Sequence, residues 1–259
     1  MDHTARKRFG QNFLQDRLVI DRIVSDIAPQ AGERIAEIGP GLGALTLPLL
    51  AYKPDLHIIE IDRDLAAYWR AKQLNYLTVI EMDALRFDFA HLASTIESDK
   101  KLRVVGNLPY NISSPLLFHL QTCMASITDQ HFMLQREVVD RMVASAGDSD
   151  FSRLSVMLQA TYQMTRLQDV PPEAFEPAPR VWSAVVRMIP LASPIVNIND
   201  TKHWANFSKI VAQAFSQRRK MLRGVLKDYA TQLEQVGISG TMRAQEVSVK
   251  QFAELAQLI

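Results

Sequence analysis

The chain has 259 residues, 47% of them hydrophobic, and its 29 Lys and Arg nearly balance 28 Asp and Glu for a formal net charge of +1. That length suits one large domain plus a small one, while the near-zero charge removes any global basic signal for nucleic acid. No apolar run is long enough to cross a bilayer, six scattered histidines show no metal-ligand spacing, and a single cysteine, Cys123, excludes an internal disulfide. The expectation is a cytoplasmic protein without membrane or metal, since one thiol suits a reducing compartment.

The first eight residues are basic but lack the apolar segment of a secretory signal. Within them Arg6-Lys7-Arg8 reads either as a set of contacts to an anionic partner or as a frayed tail. Residues 34–38 (Arg-Ile-Ala-Glu-Ile) form a short predicted strand, followed at once by Gly39-Pro40-Gly41-Leu42-Gly43-Ala44 and an apolar helical stretch at 45–50. Strand, glycine loop and helix in that order is the context of a nucleotide-type cofactor loop. Glycines let the backbone approach a ligand without a Cβ, and amides at the next helical turn attract an anionic group.

A second strand at 56–60 ends in Glu60, twenty-one positions after Gly39, where an acid suits the two hydroxyls of a ribose. A third, at 77–80, places Asp83 just past its end, in position to accept from an adenine amino group. Gly39, Gly41 and Ala44 also fit the relaxed dinucleotide fingerprint, so the loop alone leaves a nicotinamide cofactor and S-adenosylmethionine both open.

The fourth strand, around 103–106, runs into Asn107-Leu108-Pro109-Tyr110. The motif sits at a strand's carboxyl end, where open α/β sheets bind ligands. An adenine or amide nitrogen is a poor nucleophile because its lone pair is delocalised. The Asn107 side-chain carbonyl and the Leu108 backbone carbonyl can each accept one of its two hydrogens and free that lone pair. Pro109 biases Leu108 toward an extended conformation, and Tyr110 offers a face for stacking. A strand-end turn with ordinary Asn and Pro punctuation is the plainer reading. A nicotinamide enzyme leaves this clamp unexplained, whereas a methyl donor accounts for clamp and loop together.

Cys123 follows an apolar helical stretch and reads as a small core residue; His119, on the same helix, reads as structural. Phe175 lies in the proline-rich stretch 171–177, where an aromatic either plugs the surface or stacks on substrate. The alternating run 181–189 is expected to be the last strand of the main sheet, antiparallel to a strand around 160–164. Prolines 190 and 194 then lead into a helical region, closed by a helix over 249–258 with Ser248 as its N-cap.

From 205 to 227 there are six basic residues and no acid. Arg219, Arg223 and Lys227 lie four apart, so a continuous helix puts them on one face, as a phosphate backbone requires. A solvated helix face is the alternative.

These stretches together resemble one family, the bacterial small-subunit ribosomal RNA adenine dimethyltransferases. The resemblance is carried by Arg8-Phe9-Gly10-Gln11-Asn12-Phe13-Leu14, Glu37-Ile38-Gly39-Pro40-Gly41-Leu42-Gly43-Ala44-Leu45-Thr46 and Glu60-Ile61-Asp62. It continues through Asn107-Leu108-Pro109-Tyr110-Asn111-Ile112-Ser113-Ser114-Pro115, Phe175-Glu176-Pro177-Ala178-Pro179 and Phe215-Ser216-Gln217-Arg218-Arg219-Lys220.

The resemblance implies S-adenosylmethionine as cofactor, lined by Asn12, Leu14, Gly39, Gly41, Glu60, Asp83 and Asn107. Asn107, Leu108 and Tyr110 hold the target adenine in that picture, with Phe175 as a second aromatic wall. Arg218, Arg219, Lys220, Arg223 and Lys227 contact RNA. The implied partner is small ribosomal subunit RNA or its assembly intermediate, met by a monomer. The implied fold is a doubly wound α/β sheet of Rossmann-like methyltransferase type, mostly parallel with its last strand antiparallel. A methyltransferase domain spans 1–192 and a small helical RNA-binding domain 193–259.

Overall fold

The computed structural model describes residues 12–95 and 100–259. The Arg6-Lys7-Arg8 cluster and residues 8–11 of the first motif lie outside the described residues. The chain divides into two compact units, the first running through Val139 and resuming over Thr165–Ile189, the second comprising Asp140–Met164 and Pro190–Ile259. A single break at 192/193 was expected. The observed break falls at Ile189/Pro190, and the segment 140–164 joins the second unit.

In the first unit, β2 (Arg34–Ile38), β3 (Asp55–Glu60), β4 (Leu77–Glu81), β5 (Leu102–Asn107) and β6 (Ile127–Gln135) pair in parallel. Strands β2 and β5 are short apolar runs buried on both faces, as a parallel sheet covered by helices requires. The order β4-β3-β2-β5-β6-β9-β7 reverses direction between β2 and β5, the crevice position of a doubly wound sheet. Strand β9 (Ser183–Pro190) runs antiparallel to β6, with Gln135 opposite Ser183 and Phe132 opposite Val186.

The antiparallel 181–189 strand is therefore present, as the last strand of the sheet in chain order. Its partners are β6 on one side and β7 (Tyr162–Val170) at the border of the sheet. Strand β7 begins two residues later than expected because Ala160 caps the preceding helix, α7 (Arg153–Gln159). A small second sheet joins β1 (Phe13–Leu14) to β8 (Phe175–Glu176), antiparallel.

Helix starts follow local chemistry. Asp16 caps α1 (Arg17–Ile27) by accepting from the amides of Leu18 and Val19, and Asp62 caps α3 (Arg63–Ala71). Ile20, Ile23, Val24 and Ile27 recur at helical spacing and bury one face of α1 against the sheet core.

In the second unit, α8 (Thr201–Ala214) packs on α11 (Val249–Gln257). Phe207, Ile210, Val211, Phe252 and Leu255 are all fully buried there. The Nε2 atom of His203 meets the Ala253 carbonyl at 3.0 Å. Ser248 caps α11 as expected, its hydroxyl accepting from the Gln251 amide. No helix among the described residues is long and apolar enough to cross a membrane.

Candidate functional site

The carboxyl ends of β2, β3, β4 and β5 open onto one cavity of about 340 Å³, a volume typical of small-molecule sites. Asn12, Leu14, Gly39, Gly41, Glu60, Asp83, Asn107, Leu108 and Tyr110 all line it. Nine of the expected site residues, scattered over about a hundred positions of sequence, are thus brought together.

The glycine loop turns sharply: Gly39, Gly41 and Gly43 have φ of 67°, 52° and 96°, a region side chains rarely adopt. The Gly39 amide donates to the Ile59 carbonyl at 2.9 Å, tying the loop to β3. From β3 the Glu60 carboxylate accepts from the Asp62 amide at 2.8 Å. Burial pushes its pKa upward, and the nearby backbone amides, that of Asp62 foremost, oppose the rise. Asp83, after β4, accepts from the Leu85 amide at 3.0 Å, an Asx turn that fixes its carboxylate at the rim.

At the end of β5, Asn107 Nδ2 donates to the Asn12 carbonyl at 3.1 Å, which leaves Oδ1 as the acceptor of that amide. The Leu108 amide donates to the Met133 carbonyl of β6 at 3.1 Å, and the Ile112 amide closes a turn on the Pro109 carbonyl at 3.2 Å. Tyr110 is fixed at both ends, by its hydroxyl to Ser183 Oγ at 3.0 Å and by its carbonyl accepting from Ser113 Oγ at 3.1 Å. Burial pushes the phenol pKa up, so Tyr110 stays neutral. The clamp is a rigid corner between β5, β6 and β9.

Phe175 does not join this wall. It is 4% exposed and sits in the core cluster with Val170, Ala174 and Val185, and it is absent from the cavity lining. Through its pairing with Leu14 it backs the strand that lines the cavity. Cys123 is half-buried, its thiol pushed up to about 11 chiefly by burial, which makes it a poor nucleophile. His119 holds the Phe87 carbonyl at 2.8 Å, in a structural role.

Sequence reasoning passed over Glu37. It lines the cavity while only 2% exposed, and burial raises its pKa to about 7 against the opposing pull of Thr46. The signal was present, because an acid inside the strand Arg-Ile-Ala-Glu-Ile is rarely buried without a purpose. Among the described residues, no cluster of three or more His, Cys, Asp or Glu is placed to hold a metal ion.

The basic segment differs from the expected continuous helix. Helix α8 ends at Ala214, a 3-10 turn covers Phe215–Gln217, α9 is only Leu222–Val225, and another 3-10 turn follows at Lys227–Tyr229. Tertiary hydrogen bonds compete with the helical ones, since the Leu222 amide donates to the Met242 carbonyl at 2.8 Å and Arg223 to Gly240 at 2.9 Å. Arg218, Arg219, Lys220, Arg223 and Lys227 are all exposed, on an irregular segment rather than one helical stripe. Arg218 reaches the Ser149 carbonyl within the same unit.

Residues 2–259 match the family model described as ribosomal RNA adenine dimethylase. The chain is 55% identical to the ribosomal RNA small subunit methyltransferase A of Bordetella petrii, covering 99% of this chain and 96% of that one. It is 56% identical to the enzyme of the same name from Bordetella pertussis, over 99% and 95%. Among solved structures, a dimethyladenosine transferase from Plasmodium falciparum superposes with a TM-score of 0.76 at 24% identity, covering 94% of this chain and 95% of that one. The 23S rRNA methyltransferase ErmE gives 0.71 at 23%, covering 95% and 98%. At such identities these two establish the shared fold, a Rossmann-like methyltransferase sheet, and not the substrate.

Proposed function

The chain belongs to the ribosomal RNA adenine dimethylase family, and from that membership we propose that it methylates N6 of adenosines in small-subunit ribosomal RNA, giving N6,N6-dimethyladenosine during ribosome biogenesis. Identity above one half with small-subunit enzymes, over nearly the whole of both chains, favours that substrate over large-subunit RNA. The single observation that best supports the chemistry is the Asn107 amide. Its nitrogen is occupied by the Asn12 carbonyl, so its oxygen is the group available to an amine.

S-adenosylmethionine fits the cavity as cofactor: a buried acid stands at the end of β3, glycines with positive φ line one wall, and Glu37 adds a second buried carboxyl. When bound, it supplies the electrophilic methyl group. Glu60 would hold the ribose hydroxyls, Asp83 the adenine amino group, and Asn12, Leu14, Gly39 and Gly41 the remaining walls. Asn107 Oδ1 and the Leu108 carbonyl accept the two N6 hydrogens of a target adenosine, withdrawing its lone pair from the ring. Tyr110 stacks on the base, which has left its helical stack to reach the pocket.

Catalysis on this reading is orientation and electrostatic placement. The proton leaves after the nitrogen has gained its methyl group and become acidic, so no strong side-chain base is needed. Phe175, buried behind Leu14, fits a supporting role at the site better than a direct wall. Arg218, Arg219, Lys220, Arg223 and Lys227 would meet the phosphates of the small subunit or its assembly intermediate. The second unit is the RNA-binding domain on this reading, and the protein works as a cytoplasmic monomer.

The test is transfer of radiolabelled methyl groups to small subunits lacking adenine dimethylation, with large subunits and naked RNA alongside. Label recovered as N6,N6-dimethyladenosine from small-subunit particles alone is the expected result. Absence of label despite cofactor and particle binding would sink the catalytic assignment.

A further inference from the structure

We propose that Trp69 is a positioning residue of the cofactor site, its indole holding the glycine loop in the shape that receives S-adenosylmethionine; the inference rests on the cofactor reading above. Trp69 lies on α3, 28 positions beyond Gly41 in sequence, and is 1% exposed. Its Nε1–H donates to the Gly41 carbonyl at 3.0 Å. The backbone amide of the same glycine stabilises the ionised Glu60 carboxylate, opposing the rise in its pKa that burial causes. Gly41 is thus held through its carbonyl by a ring on the helix that follows β3.

The second contact is steric. A Cβ placed on Gly43 would lie 2.5 Å from Trp69 Cη2 and 2.7 Å from Cζ2, so the loop rests directly on the edge of the indole. The ring is itself fixed: Tyr68 meets it edge-on with centroids 5.4 Å apart, and Lys72 Nζ sits 5.9 Å from its centroid. Helix α3 starts at Asp62, whose amide donates to Glu60 Oε1 at 2.8 Å. One helix therefore orients the ribose acid at its start and the glycine loop two turns later. A tryptophan present only to fill the core could satisfy its N–H on any neighbour. Here the partner is the carbonyl of a loop glycine whose φ of 52° lies in the left-handed region that favours glycine.

Binding calorimetry with S-adenosylmethionine on the full chain separates positioning from bulk. Trp69→Phe keeps an aromatic ring and removes the N–H donor. The expected result is a three- to tenfold rise, to order of magnitude, in Kd and in KM for the cofactor, with kcat at saturating cofactor unchanged. Thermal unfolding of the ligand-free variant verifies that it is folded at the assay temperature.

A double-mutant cycle makes the steric half testable. Gly43→Ala should weaken cofactor binding severely with Trp69 in place. In the Trp69→Phe background, which lacks the two clashing indole atoms, only the backbone strain of a side chain at φ 96° remains, so the additional loss should be about tenfold smaller. An unchanged Kd in Trp69→Phe, or equal effects of Gly43→Ala in both backgrounds, would overturn the inference. Failure of the unsubstituted protein to bind S-adenosylmethionine would instead overturn the cofactor reading on which it stands.

Discussion

Asn107 is a case in which one hydrogen bond sets the chemistry of a side chain. Because its nitrogen is engaged by the Asn12 carbonyl at 3.1 Å, its oxygen becomes an acceptor without any rearrangement on binding. Asn107→Ala removes that acceptor while leaving the Leu108 corner tied to Met133. The expected outcome is a fall in kcat of about a hundredfold or more, the scale for losing one preorganised polar group. Particle binding, measured by sedimentation, should persist. Retained turnover would exclude the amine-clamp role.

Glu37 makes a second residue-scale prediction, this time on stability. Its ordinary pKa of 4.5 is raised to about 7 in the fold, chiefly by burial. Between those values the folded state binds more protons than the unfolded chain, so stability falls as pH rises through that window. The full penalty, on the order of 3 kcal/mol, is reached above pH 7. Glu37→Gln is isosteric and cannot ionise. The ligand-free variant should match the parent near pH 5 and show a higher thermal midpoint at pH 8. Parallel profiles for the two proteins would contradict the assignment.

At the scale of elements, β6 carries the opposite pH dependence. His131 is 2% exposed, and burial lowers its pKa to about 4 despite Asp129, whose Oδ2 stands 3.9 Å from Nδ1. Asp129 is already committed to Arg103, whose Nε and Nη2 donate to its two oxygens at 2.8 Å each, and the nearby Arg103 and Arg187 charges also disfavour a histidinium. Neutral His131 therefore contributes stability above pH 6.5 that is lost as pH falls toward 4, again on the order of 3 kcal/mol. His131→Leu should flatten the acid limb of a stability–pH curve by about one proton across that interval, read by denaturant unfolding at each pH.

The same strand explains where sequence reading stopped. Strands β2, β3, β4 and β5 announce themselves as short apolar runs, and each carries its functional residue at or just past its carboxyl end. Strand β6 contains Asp129, Gln130 and His131 in the sheet interior, paired through tertiary contacts that periodicity cannot register. The burial of Phe175 was illegible for a similar reason. A proline-rich stretch reads as loop, but pairing of Leu14 with Phe175 draws the ring into the core. The basic segment kept its charge pattern and lost its helix, because the amides of Leu222 and Arg223 bond to residues 240–242 rather than to the preceding turn.

For the whole molecule, a net charge of +1 conceals a division of labour. In the first unit many charges are neutralised in place: Arg34 with Asp55 at 2.7 Å, Arg70 with Glu81 at 2.7 Å, Arg103 with Asp129 and Glu33 at 2.8 and 2.9 Å. The second unit carries Arg218, Arg219, Lys220, Arg223 and Lys227 exposed within ten residues, with no acid among them. Affinity for a phosphate backbone depends on such a local excess, since each neutralised phosphate releases counterions whatever the distant net charge. An irregular backbone does not weaken this, because counterion release depends on the number of phosphates met and not on helical register. Replacing Arg219, Lys220 and Arg223 together by Ala should lower the slope of log K against log salt for small-subunit particles by roughly two to three. Cofactor affinity should stay unchanged, because none of the three lines the cavity. Binding measured from low to moderate salt gives the slope directly. A triple variant with the parent's slope would mean that these cations are solvated and that RNA is held elsewhere.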